Sequence, residues 1–347
     1  MASADRGPDE IDDFARETVA DPRWFPLRFN VDSEEFHFAM IPAETHRAIA
    51  FLNDLRAAPQ DIRVLPRSAV AKAAVESAPL HLILHSGLGG STFVARTLAQ
   101  PGTAVALQEP PVLTDVIAYG AKKGPQAMAA LLAEVSRLLA RPFAPGEAVV
   151  CKLSGVGNGL ARMIAGGHPD SQLICLFNPL DQMLASLASR GAGGRMAGRQ
   201  LLLGLRNSRM MAFEMTDKQL LDHTDFQLAG FAWISIQKMM LAAAQELGPS
   251  RVAFISTEAV MRDGPEAVAA VASHLGVKLD VDACVESGAF SRHAKSGEPF
   301  DPRRRAEALE QALELHSEEI EAIVSWARRV AEVTRIGWEP PCLLQIG

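Results

Sequence analysis

The chain is short of positive charge. Its 347 residues carry 34 Lys and Arg against 41 Asp and Glu, a formal net charge of -7. A surface with that balance does not gather nucleic acid at large, so an anionic ligand has to find a local positive site. Cysteine is scarce too. Cys151, Cys175, Cys284 and Cys342 lie far apart, without metal-type spacing. Cys151 and Cys175 sit in apolar runs and are expected to be core thiols rather than a disulfide. The nine histidines show no metal spacing, and no metal is expected. No apolar run is long enough to span a bilayer. Met1 to Asp21 is acidic and polar, unlike a secretory leader. These absences together lead to an expectation of a cytoplasmic location. There is no internal repeat.

What is present is a globular composition, 48% hydrophobic and 22% charged, ample for one large α/β domain with an appendage. The organising stretch runs from His81 to Leu98. Leu82 to Leu84 is an apolar run expected as a buried strand. Gly87, Gly89 and Gly90 interrupt it, and Ser91 and Thr92 open a segment with helical spacing at Phe93, Val94, Thr97 and Leu98. Glycines let backbone N–H groups converge without a Cβ in the way. The new helix adds unpaired N–H groups and the positive end of its dipole. Strand, glycine turn and helix therefore predict a phosphate cradle. The turn is not a Walker A, which ends in Gly-Lys-Ser/Thr; here Ser91 follows Gly90 directly.

Further strands are expected at Thr103–Gln108, Ala148–Lys152, Leu173–Phe177 and Arg251–Ile255. Between them, helices are expected over 112–139 with a break near Gly124-Pro125, 160–165, 181–189 and most of 198–247. Helices are expected again at 264–275 and 303–333, the last unbroken. Gly191, Gly193 and Gly194 predict a flexible loop. This alternation predicts an α/β fold, a parallel central sheet with helices on both faces. Ligands of such sheets sit at the carboxyl ends of the strands. Those positions hold His85, Glu109, Lys152, Asn178 and Ser256-Thr257-Glu258. Three ionisable groups, His85, Glu109 and Lys152, would then gather near the anion cradle, as a group-transfer site requires. Ahead of the sheet, residues 1–22 are expected as a disordered tail, and 23–78 as an N-terminal hairpin-plus-helix addition.

From residue 79 onward the chain resembles the sulfotransferase family, weakly at each point but in the right order. The glycine turn looks like the family's phosphosulfate-binding loop, Gly90 standing on its final glycine and Ser91 and Thr92 on its two threonines. Glu109-Pro110 and Lys152 also look like family positions. So do His168-Pro-Asp170, then Asn178-Pro-Leu-Asp with Ser186, where the family holds the donor's 3′-phosphate. Phe290 to Ser296 resembles a late basic loop. The resemblance implies a P-loop NTPase-like, sulfotransferase-like domain over 79–347. It also implies the donor 3′-phosphoadenosine-5′-phosphosulfate (PAPS), with donor contacts at Gly87, Gly89, Gly90, Ser91, Thr92, Ser186 and Lys295. Two family cations are missing: Leu88 replaces the loop Lys or Arg, and Phe177 or Asn178 the 3′-phosphate Arg. Lys152 is the expected substitute for the first, and Arg190, Arg195 or Arg199 for the second, with Arg190 the choice.

The expected chemistry is sulfuryl transfer to a small-molecule or peptide hydroxyl, with Glu109 as base, His85 as second candidate, and Lys152 as the cation on the leaving side. Two other readings fit the same residues: an ATP- or GTP-dependent phosphotransferase, and a decayed relative that binds a nucleotide or peptide without turnover. The acceptor and the oligomeric state are not legible.

Overall fold

The computed structural model describes residues 7–57, 61–75, 77–87, 89–291, 301–341 and 343–346. The chain opens with α1 (Pro8–Ala20), then β1 (Trp24–Asn30), β2 (Glu35–Met40), the short α2 (Ala43–Ala48), β3 (Ile62–Pro66) and α3 (Arg67–Lys72). The second part runs β4 (Leu80–His85), α4 (Ser91–Leu98), β5 (Ala104–Gln108), α5 (Pro111–Lys123) and α6 (Pro125–Leu139). It continues through β6 (Ala148–Lys152), α7 (Ala161–Gly167), β7 (Leu173–Phe177), α8 (Leu180–Ala188), α9 (Gly191–Asn207) and α10 (Asp217–Leu221). The last stretch is α11 (Asp225–Leu247), β8 (Val252–Ser256), α12 (Thr257–Arg262), α13 (Gly264–His274), α14 (Val281–Glu286), α15 (Pro302–Leu315) and α16 (Ser317–Val333).

β5-β6-β4-β7-β8 form one five-stranded sheet, and every pair in it is parallel. The strands are near-continuous apolar runs because both faces are covered. Alternation divides them between two cores. Leu82, Leu84, Val149 and Cys151 face one, and Ile83, Ala106, Val150 and Ile174 face the other. The expected α/β class, a parallel sheet with helices on both faces, is what the chain forms. β4 is central, and it leads through the glycine turn into α4.

The N-terminal part differs from expectation in two ways. The tail is not disordered over 8–20: Ile11, Phe14, Ala15, Thr18 and Val19 recur at helical spacing and give α1 an apolar stripe, with Ala15 and Val19 buried. The expected hairpin gains a third strand, β3, which pairs antiparallel with β2. The helix of this addition is short, Ala43–Ala48, and a 3-10 turn (Leu52–Ala57) follows it. This small sheet shares one continuous core with α5 and α6, through Phe29, Phe36, Val116 and Leu131 among others. Asp115 of α5 fastens it, accepting Arg28 Nε at 2.7 Å, Nη2 at 2.6 Å and the Phe29 N–H at 2.9 Å. His46 is a packing residue: Phe25 and Phe143 meet it edge-on at 5.0 and 5.4 Å, and burial pushes its pKa down to about 3.

Gly191, Gly193 and Gly194 are not a loop; they open α9. The reason is packing. A Cβ on Gly194 would stand 2.0 Å from the Leu187 carbonyl oxygen, so the missing side chain lets α9 start hard against the end of α8. The terminal helix is broken at His316 into α15 and α16. We expect Gly194→Ala to push α9 off α8 and lower unfolding stability by about 1–3 kcal/mol. Gly193→Ala, which meets nothing within 4 Å, should be neutral or slightly stabilising. Chemical denaturation of both variants checks this.

Candidate active site at the ends of the parallel strands

The glycine turn is held from three neighbouring strand ends. Asn158, beyond β6, donates to the His85 carbonyl at 2.9 Å. Asn178, beyond β7, donates to the Gly87 carbonyl at 3.3 Å. Thr257, beyond β8, donates to the Gly89 carbonyl at 3.2 Å. Asn178 is fixed in its turn: its N–H donates to Ser86 Oγ at 2.7 Å, and its carbonyl accepts the Trp233 indole at 2.8 Å. The carbonyl oxygens of His85, Gly87 and Gly89 are thus occupied by the protein interior. The opposite pole consists of the first N–H groups of α4, which no helical carbonyl can take. Gly87 and Gly90 have φ of 97° and 79°, where a side chain would be strained. A Cβ on Gly89 would lie 2.4 Å from Thr257 Oγ1. The glycines are required by the turn's shape and by its close approach to β8.

In front of the turn lies a cleft of about 720 Å³. Gly87, Gly89, Gly90, Ser91 and Thr92 line it, together with His85, Glu109 and Lys152. Register brings the ionisable groups together. Lys152 stands opposite both Ile83 and Gln108, so β4, β6 and β5 end side by side. Glu109 follows at once, in the left-handed region at φ 53°. A non-glycine residue there costs on the order of 1–2 kcal/mol. Its N–H still donates to the Lys152 carbonyl at 2.9 Å. The strained backbone directs the carboxylate to the Lys152 ammonium, with which it forms a direct ion pair. His85 Nε2 lies 3.8 Å from the same carboxylate oxygen.

Lys152 is 1% exposed, and its ammonium stands 4.9 Å from the centre of the Phe51 ring. Burial holds its pKa below the ordinary lysine value, and the Glu109 carboxylate pulls it back up.

A second positive place lines the same cleft. Arg190 and Arg305 both reach it. Among the described residues neither has a carboxylate partner; Arg190 Nη2 donates to Ser186 Oγ at 3.4 Å. Burial lowers the pKa of both, and the charge of Arg190 adds to the effect on Arg305. Arg190 is exposed at the cleft and Arg305 partly buried; like charges that repel one another are relieved by a bound anion. The other two arginine candidates are neutralised elsewhere: Arg195 pairs with Glu319 at 3.1 Å and Arg199 with Asp225 at 2.7 Å. Toward β8 the wall turns apolar, with Val260, Met261 and the edge-to-face pair Phe93–Phe290, whose ring centres are 5.6 Å apart.

No protein-family model and no curated protein matches the chain. Among solved structures, a sulfotransferase domain from the curacin biosynthetic pathway is similar, with a TM-score of 0.43 and 12% identity over 77% of this chain and 100% of that one.

The expected site residues fall into three groups. His85, Glu109, Lys152, Arg190 and the turn residues Gly87 to Thr92 other than Leu88 line one cleft. Ser186 is not on its wall and braces Arg190 instead. Lys295 and Leu88 lie outside the described residues. Arg305 and Phe93 were not among the expected site residues. Arg305 looks like part of a solvated run, but it begins the stripe Arg305, Leu309, Ala312, Leu313 that turns α15 inward; that spacing is the signal. Among the described residues no three His, Cys, Asp or Glu side chains converge to hold a metal ion, and no helix is long and apolar enough to cross a membrane.

The buried ion pair has a pH consequence. The unfolded chain keeps the lysine proton up to about pH 10.4, while burial makes the folded chain lose it at lower pH. Between those values the unfolded state binds more protons, so stability rises with pH. Glu109→Gln removes the group that pulls the Lys152 pKa upward, and should cost about 3 kcal/mol at pH 7 and clearly less at pH 10. Adding Lys152→Met should recover most of the loss at pH 7. Urea denaturation of the single and double variants at both pH values measures this.

Proposed function

We propose that the chain is a sulfotransferase-like enzyme that moves a sulfuryl group from PAPS to a hydroxyl acceptor. The observation that carries the reading is one cleft with two separate anion-attracting places, the glycine turn with the α4 N-terminus and the Arg190–Arg305 pair, beside a His85–Glu109–Lys152 cluster. A donor with phosphate groups at two ends matches that division. The fit is supported by two arginines without carboxylate partners among the described residues and by a turn that a Cβ would fill.

In this reading the N–H groups from Gly89 to Thr92 and the Ser91 and Thr92 hydroxyls hold the 5′-phosphate. Arg190, braced by Ser186, and Arg305 hold the 3′-phosphate by charge-assisted bonds. Phe93 and Phe290 flank the space for the base. Bound there, the donor supplies an activated sulfuryl group. Lys152 brings its charge to the leaving side of the turn, in place of the family's loop cation, where preorganised positive charge is worth most. Glu109 takes the proton of the acceptor hydroxyl. It is already polarised between Lys152 and His85, and His85 can pass that proton on. Burial of Lys152 and the backbone strain at Glu109 keep both groups aimed before a ligand arrives.

Calorimetry with adenosine 3′,5′-bisphosphate, ADP and Mg-ATP tests the reading. We expect the bisphosphate to bind at least tenfold tighter than ADP. Arg190→Ala and Arg305→Ala should each weaken the bisphosphate about tenfold to a hundredfold and leave ADP nearly unchanged. Preference for Mg-ATP would replace sulfuryl transfer by phosphotransfer, and binding of none of the three would remove the nucleotide site. In turnover, Glu109→Gln should lose about 10²-fold or more with bisphosphate affinity retained. An unchanged rate would take Glu109 out of the base role.

A further inference from the structure

The cleft crosses the sheet, and its two ends differ in chemistry. Toward β8 stand Val260, Met261 and the Phe93–Phe290 pair. At the β5–β6 end stand Glu109 and Lys152, and the wall around them is apolar. Phe51 lies over the Lys152 ammonium at 4.9 Å. Leu201 of α9 reaches across to Gly155, just beyond β6; a Cβ on Gly155 would meet Leu201 Cδ1 at 2.9 Å. Ala197 and Leu187 continue the same wall along α9 and α8.

Among the described residues placed at this end, Phe51, Gly155 and Leu201 are apolar, and the polar groups beside them are the reacting ones. Of the charged side chains that line the cleft, Glu109, Lys152 and His85 are engaged with one another, while Arg190, Arg262 and Arg305 reach it from beyond α8, from α12 and from α15. Arg195 and Arg199 of α9 are paired with Glu319 and Asp225 and do not line the cleft. A sugar ring brings several hydroxyls, each of which loses its water here without a partner. An acidic peptide brings carboxylates against Phe51 and Leu201, where Lys152 is already paired with Glu109. A molecule with an apolar body and one hydroxyl loses nothing and buries its surface against Phe51 and Leu201.

We propose that the acceptor is an uncharged apolar alcohol or phenol, held by Phe51 and Leu201 with its hydroxyl at Glu109. The inference rests on the sulfuryl-transfer reading for what happens to that hydroxyl, but not for what binds. Phe51 comes from the N-terminal part of the chain, which thereby supplies specificity to a site built by the parallel sheet.

The test measures binding of 2-naphthol by its fluorescence, to the full chain alone and with adenosine 3′,5′-bisphosphate. Glucosamine and an acidic tyrosyl peptide compete. The expected result is 2-naphthol binding at least tenfold tighter than either competitor. Leu201→Asn and Phe51→Ala should each weaken it about tenfold, with bisphosphate affinity unchanged as the sign that the cleft is folded. Equal or tighter binding of the sugar or the peptide overturns the inference, as does 2-naphthol binding that neither variant alters. A chain that ignores the bisphosphate but binds 2-naphthol in a Phe51- and Leu201-dependent way, both variants melting cooperatively, refutes the sulfuryl-transfer reading and keeps the apolar site. A chain that binds the bisphosphate and not 2-naphthol does the reverse.

Discussion

Everything at this site depends on where the carbonyl oxygens of one short turn are sent. A turn with three glycines has no conformation of its own. Here Asn158, Asn178 and Thr257 take the carbonyls of His85, Gly87 and Gly89, each from beyond the end of a different strand of the sheet. With the acceptors tied down, the turn's free polarity is positive and faces the cleft. The parallel sheet makes this possible, because parallel strands end together on one side and their following residues meet there.

Charge in the cleft follows a similar logic. A chain with a net charge of -7 gathers no anion by its overall field. It concentrates cations where water is partly excluded and withholds carboxylates from some of them. Arg195, Arg199 and Arg262 have acidic neighbours, while Arg190 and Arg305 have none among the described residues. Lys152 is the opposite case: it is fully buried, and the Glu109 carboxylate opposes the burial that lowers its pKa. The two arginines are left to a ligand, whereas the lysine is already held in an ion pair with Glu109.

The N-terminal sheet is part of the same body. Arg28–Asp115, Arg47–Glu147 and Arg67–Glu134 fasten it along α5, α6 and the approach to β6, and its phenylalanines enter the main core. That attachment brings Phe51 over Lys152. The region to which the sequence assigned no chemistry contributes to the walls of the cleft.

What the sequence determined by itself was local. Apolar runs of about five residues with glycine or proline after them specify buried parallel strands, and the strand ends His85, Glu109 and Lys152 could be read off for that reason. The turn's three glycines and the helix after it were equally plain. Tertiary structure decided what sequence spacing leaves ambiguous. Three glycines at 191–194 resemble a loop until the Leu187 carbonyl is seen where a Cβ would be. An acidic tail looks disordered until a partner surface rewards the stripe through Phe14 and Val19. Arg190, Arg195 and Arg199 are alike in sequence, and distant carboxylates at Glu319 and Asp225 tell them apart. Arg305 lies over a hundred positions from Arg190 along the chain, and only folding brings their charges close enough to perturb one another. Strand and turn propensities act between neighbours in sequence, whereas ion pairing and close packing act between neighbours in space.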